Sequence, residues 1–206
     1  MRFLLISFVG ILCLQCKSVV PKSTHLPIAI EHRELVNPYF IDPTFDYIYK
    51  ITIKVFGNEM SGLLIIKQVA QDTHRIVCTS QFGTTFFDFE LNREEQKVHT
   101  VIAALDKRII INTLMRDFTT LIQSKTEIKK AYTNGVEKVL KTVSSGQKNF
   151  YFYTGDQERL SQIVRSGLLG KQLSIDFNTT ENAKATAIKI KHHDIALTMD
   201  LKLIKN

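Results

Sequence analysis

The chain has no tryptophan, only three cysteines and only four prolines in 206 residues, and each scarcity narrows what it can be. Pro21, Pro27, Pro38 and Pro43 all precede residue 44, so everything after them is free to form uninterrupted elements. Cys13 and Cys16 lie in the first sixteen residues and Cys78 is alone further on; a lone thiol closes no internal disulfide. No cysteine stands with histidines at metal-ligand spacing, which leaves a zinc site without support. No apolar run reaches the roughly 20 residues a helix needs to cross a bilayer. No serine sits in a Gly-x-Ser-x-Gly elbow, and no Lys-Ser/Thr follows Gly167 to Gly170 as it would in a phosphate-cradling loop. An enzyme is the least supported class, and no cofactor is implied.

What is present begins at the amino terminus. Met1 and Arg2 precede Phe3 to Leu14, apolar but for Ser7 and Gly10, and Cys16 closes the stretch. A short apolar core behind a positive start is the pattern of a secretory signal. The stretch resembles a bacterial lipoprotein signal, in which the mature chain begins with a diacylated cysteine; Cys16 is then the lipidation site. Gln15 replaces the usual small residue and Cys13 the usual leucine, so a cleaved signal with unmodified Cys16 and an uncleaved anchor stay open. The net charge is +7, and Arg2 is the only charged residue among the first sixteen. Secretion argues against nucleic acid, so the basic balance reads as a solvated surface or as attraction to anionic headgroups.

Residues 17–45 read as an extended tether, ordered towards Tyr39 and Phe40, and residues 46–206 as a single domain. Tyr47, Tyr49, Ile51, Ile53 and Val55 alternate with Lys50, Thr52 and Lys54, the period of a half-buried strand. Strands follow over 61–69, 74–80, 84–91 and 97–102, a meander joined by short turns. From Ile110 to Ile122 the spacing becomes three-and-four, with Ile111, Leu114, Met115, Phe118, Leu121 and Ile122 on one stripe. That is an amphipathic helix, with Asp106 as candidate cap and helical character trailing to about Tyr132. A second meander runs over 136–143, 149–153, 159–165, 171–178, 184–191 and 195–204.

The expected fold is mainly β with one α element: about eleven antiparallel strands in an incompletely closed, curled barrel, with the helix as a lid over the concave face. Phe87, Phe89, Phe177, Leu201 and Ile51 then face inward, lining a greasy cavity or filling a core, with Leu114 and Phe118 on the lid. Cys78 reads as a small buried hydrophobe. His192, His193 and Asp194 read as a polar turn, since neighbours on a strand point to opposite faces. His74 and His99 lie on separate strands with no partner evident from spacing. Asp88 and Glu90 read as a solvated surface, and no metal site emerges.

Gly62-Leu63-Leu64-Ile65-Ile66-Lys67, Gln81-Phe82-Gly83 and Phe86-Phe87-Asp88-Phe89-Glu90, in this order of elements, resemble the LolA/LolB lipoprotein-carrier superfamily and, within it, uncharacterised Bacteroidota lipoproteins. The resemblance covers about Tyr47 to Ile204. It implies an unclosed barrel whose apolar hollow accepts acyl chains, held on the periplasmic face of the outer membrane through Cys16. It also implies that Phe82 is the apolar turn residue that touches the membrane during delivery, although Phe82 could fold back as core. Membrane lipid or lipoprotein acyl chains are the implied partners. The rival reading is a lipid-anchored scaffold with a filled core that docks an envelope assembly.

Overall fold

The computed structural model describes residues 19–20, 24–92, 95–123, 125–144, 146–155, 159–167, 170–179 and 184–204. The signal stretch with Cys16 lies outside the described residues. The first long hairpin joins β3 (Tyr47–Val55) to β4 (Asn58–Ala70). Its loop is Phe56-Gly57, both at positive φ (47° and 84°), the two-residue turn whose twist matches that of the flanking strands. β5 (Thr73–Ser80), β6 (Thr85–Leu91) and β7 (Gln96–Val101) continue the meander. Helix α1 (Arg108–Ile122) follows, then β8 (Lys125–Thr133), β9 (Glu137–Ser144), β10 (Gln147–Thr154), β11 (Arg159–Gly167), β12 (Gly170–Thr179), β13 (Ala185–His192) and β14 (Leu197–Leu203).

All described pairings are antiparallel, and β14 pairs β3, so the two meanders form one sheet ordered β8 through β14, then β3 through β7. The sheet is curled and unclosed. The outer strands of the two meanders, β7 and β8, are joined through α1, which lies across the concave face. Tyr49, Ile51 and Ile53 of β3, Phe87 and Phe89 of β6, Ile190 of β13, Met199 and Leu201 of β14 and Leu114, Phe118 and Leu121 of α1 belong to one buried cluster. The alternation read from the sequence decides which face this is: Lys50 and Lys54, between the inward residues of β3, are exposed. Gly62 on β4 is required by close approach, because a Cβ there would sit 1.9 Å from the Thr79 carbonyl oxygen of β5.

The structure departs from the sequence reading in four places. Residues 26–45 are docked. β1 (Leu26–Ile28) and β2 (Glu34–Val36) both pair with β8, covering an edge that would otherwise expose unpaired backbone groups. Leu35 of β2 and, beyond it, Asn37, Tyr39 and Phe40 are buried as a strap over the concave side. Val19 and Val20 cover a separate apolar cluster on the opposite face, formed by Val139, Phe150, Phe152 and Val164. β8 occupies the stretch read as the trailing end of the helix. Asp106 caps nothing: Lys107 is the N-cap residue, in extended conformation and without a side-chain cap. Among the described residues the strands therefore number fourteen, the eleven expected plus β1, β2 and β8.

Candidate functional site

The site is the seam between α1 and the concave sheet. The residues expected inward, Ile51, Phe87, Phe89, Phe177 and Leu201, share one buried cluster with Leu114 and Phe118 of the helix. Ile51 and Leu201 are direct cross-strand partners on β3 and β14, both 1% exposed. The rings of Phe87 and Phe89 stack at 4.7 Å and 14°, and the lid residue Phe118 meets Phe87 at 5.6 Å. Leu114 is fully buried one turn earlier. Phe177 on β12 packs on Tyr39 of the strap at 4.8 Å, and Tyr39 donates its hydroxyl hydrogen to the Leu160 carbonyl at 2.7 Å. Burial raises the Tyr39 phenol to about 12. Cys78, inward on β5, is completely buried, and burial pushes its thiol up to about 12. In this closed arrangement side chains of the helix and strap occupy the space between the walls.

A second set of contacts is polar. Asp117 projects from the buried side of α1 and is fully inaccessible. Its Oδ1 accepts a hydrogen bond from Arg165 Nη1 of β11 at 3.0 Å, and its Oδ2 accepts from His192 Nε2 of β13 at 2.5 Å. Arg165 Nη2 also donates to the Arg116 carbonyl at 3.1 Å and to the Thr120 hydroxyl. Burial pulls the Arg165 guanidinium down from its ordinary value, with the Asp117 charge opposing. His192 was expected in a polar turn; instead it ends β13 with its ring buried in this cluster, while His193 is exposed beside it. Strand alternation continues one residue further than the turn reading allows, so His192 shares the inward face of β13 with Ile190.

Cross-strand register explains why these groups meet. Thr142 pairs Asn149, Asn149 pairs Arg165, Arg165 pairs Leu173, and Leu173 pairs His192. The concave face under α1 therefore carries a transverse row, polar at every member but Leu173. The strap ties in at the helix end, where Asn37 Nδ2 donates to the Leu121 carbonyl at 2.9 Å. This satisfies one of the carbonyls that a helix terminus leaves unpaired.

The remaining sequence candidates fall elsewhere. Phe82 is 97% exposed at the tip of the β5–β6 turn, so it does not fold back as core. Asp88 and Glu90 point away from the interior, partly exposed, and are ion-paired as well. Arg75 grips Asp88 through Nε and Nη2 at 2.5 and 2.8 Å and reaches Glu90 at 3.2 Å, with His99 on Glu90 at 3.2 Å. His74 is buried, donating from Nε2 to the Phe40 carbonyl at 2.9 Å, and burial lowers its pKa. Phe40 holds that carbonyl in place with a positive φ of 64°, a strained setting for a bulky residue. Among the described residues no three metal-ligating side chains converge, and no helix is long and apolar enough to cross a membrane.

Two openings flank the seam. One of about 300 Å³ lies at the sheet's unclosed edge, between Asp72, His74 and Leu91 on one side and Ile122, Lys125 and Thr126 on the other. Another, of about 320 Å³, lies between α1 and β9 to β11, lined by Arg116 and Arg165 among others.

An open antiparallel sheet wrapped around one helix defines a class of half-barrel proteins. Among solved structures the chain is similar to a LolA superfamily protein from Nitrosomonas europaea, with a TM-score of 0.51 and 8% identity over 81% of this chain and 87% of that one. It is also similar to a domain described as outer membrane lipoprotein-sorting from Vibrio parahaemolyticus, at TM-score 0.46 and 12% identity over 78% and 83%. A DUF1329 family protein from Desulfovibrio piger aligns at TM-score 0.41 and 6% identity over 78% and 84%. No family model matches the sequence, and no curated protein matches it. The fold is LolA/LolB-like.

Proposed function

We propose that this is a non-enzymatic, lipid-anchored protein of the cell envelope that takes acyl chains of membrane lipids or lipoproteins into its concavity, with α1 as the displaceable cover. The observation that carries the reading is the position of α1. It lies on the hollow side of an unclosed sheet, with Phe118 against the aromatic floor of Phe87 and Phe89. Its own ends contribute little to its stability as a helix. Its amino end has no side-chain cap, its first turn has no acidic residue and its last turn no basic one, so neither an N-cap nor the helix dipole stabilises it; the polar holds on it are tertiary, from Asp117 to Arg165 and His192 and from Asn37 to the Leu121 carbonyl. A chain replacing the helix against the same wall would gain roughly 0.8 kcal/mol per buried CH₂, so affinity would follow chain length. The LolA-like fold supports the reading.

Under this proposal Cys16 carries the lipid, at the periplasmic face of the outer membrane. Val19 is three residues further on, a reach of at most about 10 Å. The face covered by Val19 and Val20 would then lie close to the bilayer, and Phe82 would serve as the contact residue for delivery. Acylation is tested by mass spectrometry of the mature amino terminus. A Cys16→Ala form titrated with a fluorescent fatty acid tests the cavity. Saturable binding, weakened in folded Phe87→Ala or Phe118→Ala variants, supports the carrier. Absence of binding by the folded protein favours the scaffold, which the full burial of the interior side chains also suits.

A further inference from the structure

We propose that the pocket between α1 and β9 to β11 is a binding site for an oxyanion of the phosphate class. The pocket measures about 320 Å³, at the low end of the roughly 300–1,000 Å³ usual for small-molecule sites. Every described residue lining it carries an amide, a hydroxyl or a guanidinium, and none is a carboxylate or a hydrocarbon side chain. An apolar chain gains nothing from such walls; a polar group with many acceptors does.

Two of the lining side chains are almost wholly buried and incompletely satisfied. Arg165, 1% exposed, uses Nη1 and Nη2 on Asp117, Thr120 and the Arg116 carbonyl, but its Nε has no partner. Asn149, 3% exposed, has no partner for Oδ1. Arg116 adds a third such atom, its own buried Nε. Buried polar atoms without partners are costly and rare. Three around one pocket mark a place where a ligand completes the hydrogen bonding.

Charge selects the ligand's sign. Asp117 neutralises Arg165 from the far side, whereas no described carboxylate pairs with Arg116. Arg116 and Arg165 also repel one another, and an anion between them would relieve that. The two Nε–H groups donate to oxyanion oxygens, and such charge-assisted hydrogen bonds are stronger than those between neutral groups. Asn149 Oδ1 accepts from a donor on the ligand, either the hydroxyl of a singly protonated phosphate or one on its substituent. The source is either the headgroup of an amphiphile whose chain enters beneath α1 or a small soluble phosphate. The site does not depend on acyl-chain binding.

Calorimetry on the Cys16→Ala form with glycerol phosphate, dodecyl phosphate and uncharged monolauroylglycerol separates these cases. Saturable binding of one or both phosphates is expected, weakened at least about tenfold in Arg116→Gln, with monolauroylglycerol unaffected. Asn149→Leu should weaken the same phosphates without lowering Tm, which keeps the test valid if Arg116→Gln folds poorly. Binding of dodecyl phosphate alone identifies a lipid headgroup, and equal binding of glycerol phosphate a soluble ligand. If glycerol phosphate does not bind and dodecyl phosphate binds no tighter than monolauroylglycerol, the anion site is refuted. The monolauroylglycerol result reports on the acyl-chain proposal separately.

Discussion

Asp117 Oδ1 on α1 accepts a hydrogen bond from Arg165 Nη1 on β11 at 3.0 Å, with the two side chains 0% and 1% exposed. A helix otherwise seated on hydrocarbon is thus fastened to the sheet by one buried carboxylate with two partners, Arg165 and His192. Such a pair gains little over apolar packing, because desolvation offsets its attraction, but half of it is worse than none. Asp117→Asn leaves Arg165 uncompensated and should cost about 3–5 kcal/mol, measured by urea unfolding. Replacing all three with apolar residues of similar volume should restore most of that loss.

Gly62→Ala should destabilise by about 1–3 kcal/mol, the range for overpacking. The added methyl meets backbone, the Thr79 carbonyl oxygen at 1.9 Å, which cannot rotate away. Chemical denaturation at constant m-value would register it.

His74 makes stability depend on pH. Burial lowers its pKa below the ordinary 6.5, so between the two values the unfolded chain binds the proton and the folded one does not. The contribution is complete above 6.5 and is lost progressively as pH falls towards the lowered value. His74→Gln should flatten that part of the profile, measured as unfolding free energy between pH 7.5 and 5.

The strands were legible because period-two alternation survives wherever one face is buried, as from Tyr47 to Val55. β8 was hidden by its own irregularity. Its register shifts between Ile128 and Lys130, so the buried Ile128 and Ala131 stand three apart and imitate helical spacing. β1 and β2 are three residues each, too short to show a period. The Asp117–Arg165–His192 cluster leaves a trace in the sequence. Asp117 lies three after Leu114 and four before Leu121, inside the apolar stripe, while Arg165 follows Ile163 and His192 follows Ile190 on inward rows. What the sequence could not supply was that three polar interruptions, 48 and 75 residues apart, converge.

Cys78 should resist alkylation in the folded protein at pH 8, since its thiol titrates only at about 12 and is fully buried. In the Cys16→Ala mature form, labelling rates followed by mass spectrometry should rise when an acyl ligand opens the interior. Phe82→Glu, by contrast, should leave Tm unchanged, because an exposed turn position changes stability by no more than about 0.5 kcal/mol.

The central claim is that a bound acyl chain takes the place of α1 against the aromatic wall. Hydrogen–deuterium exchange of the Cys16→Ala form with and without a saturating fatty acid tests it directly. The account requires faster exchange across Arg108–Ile122 on binding, with β3, β6 and β14 unchanged. Unchanged or slower exchange across that helix at demonstrated saturation would contradict it.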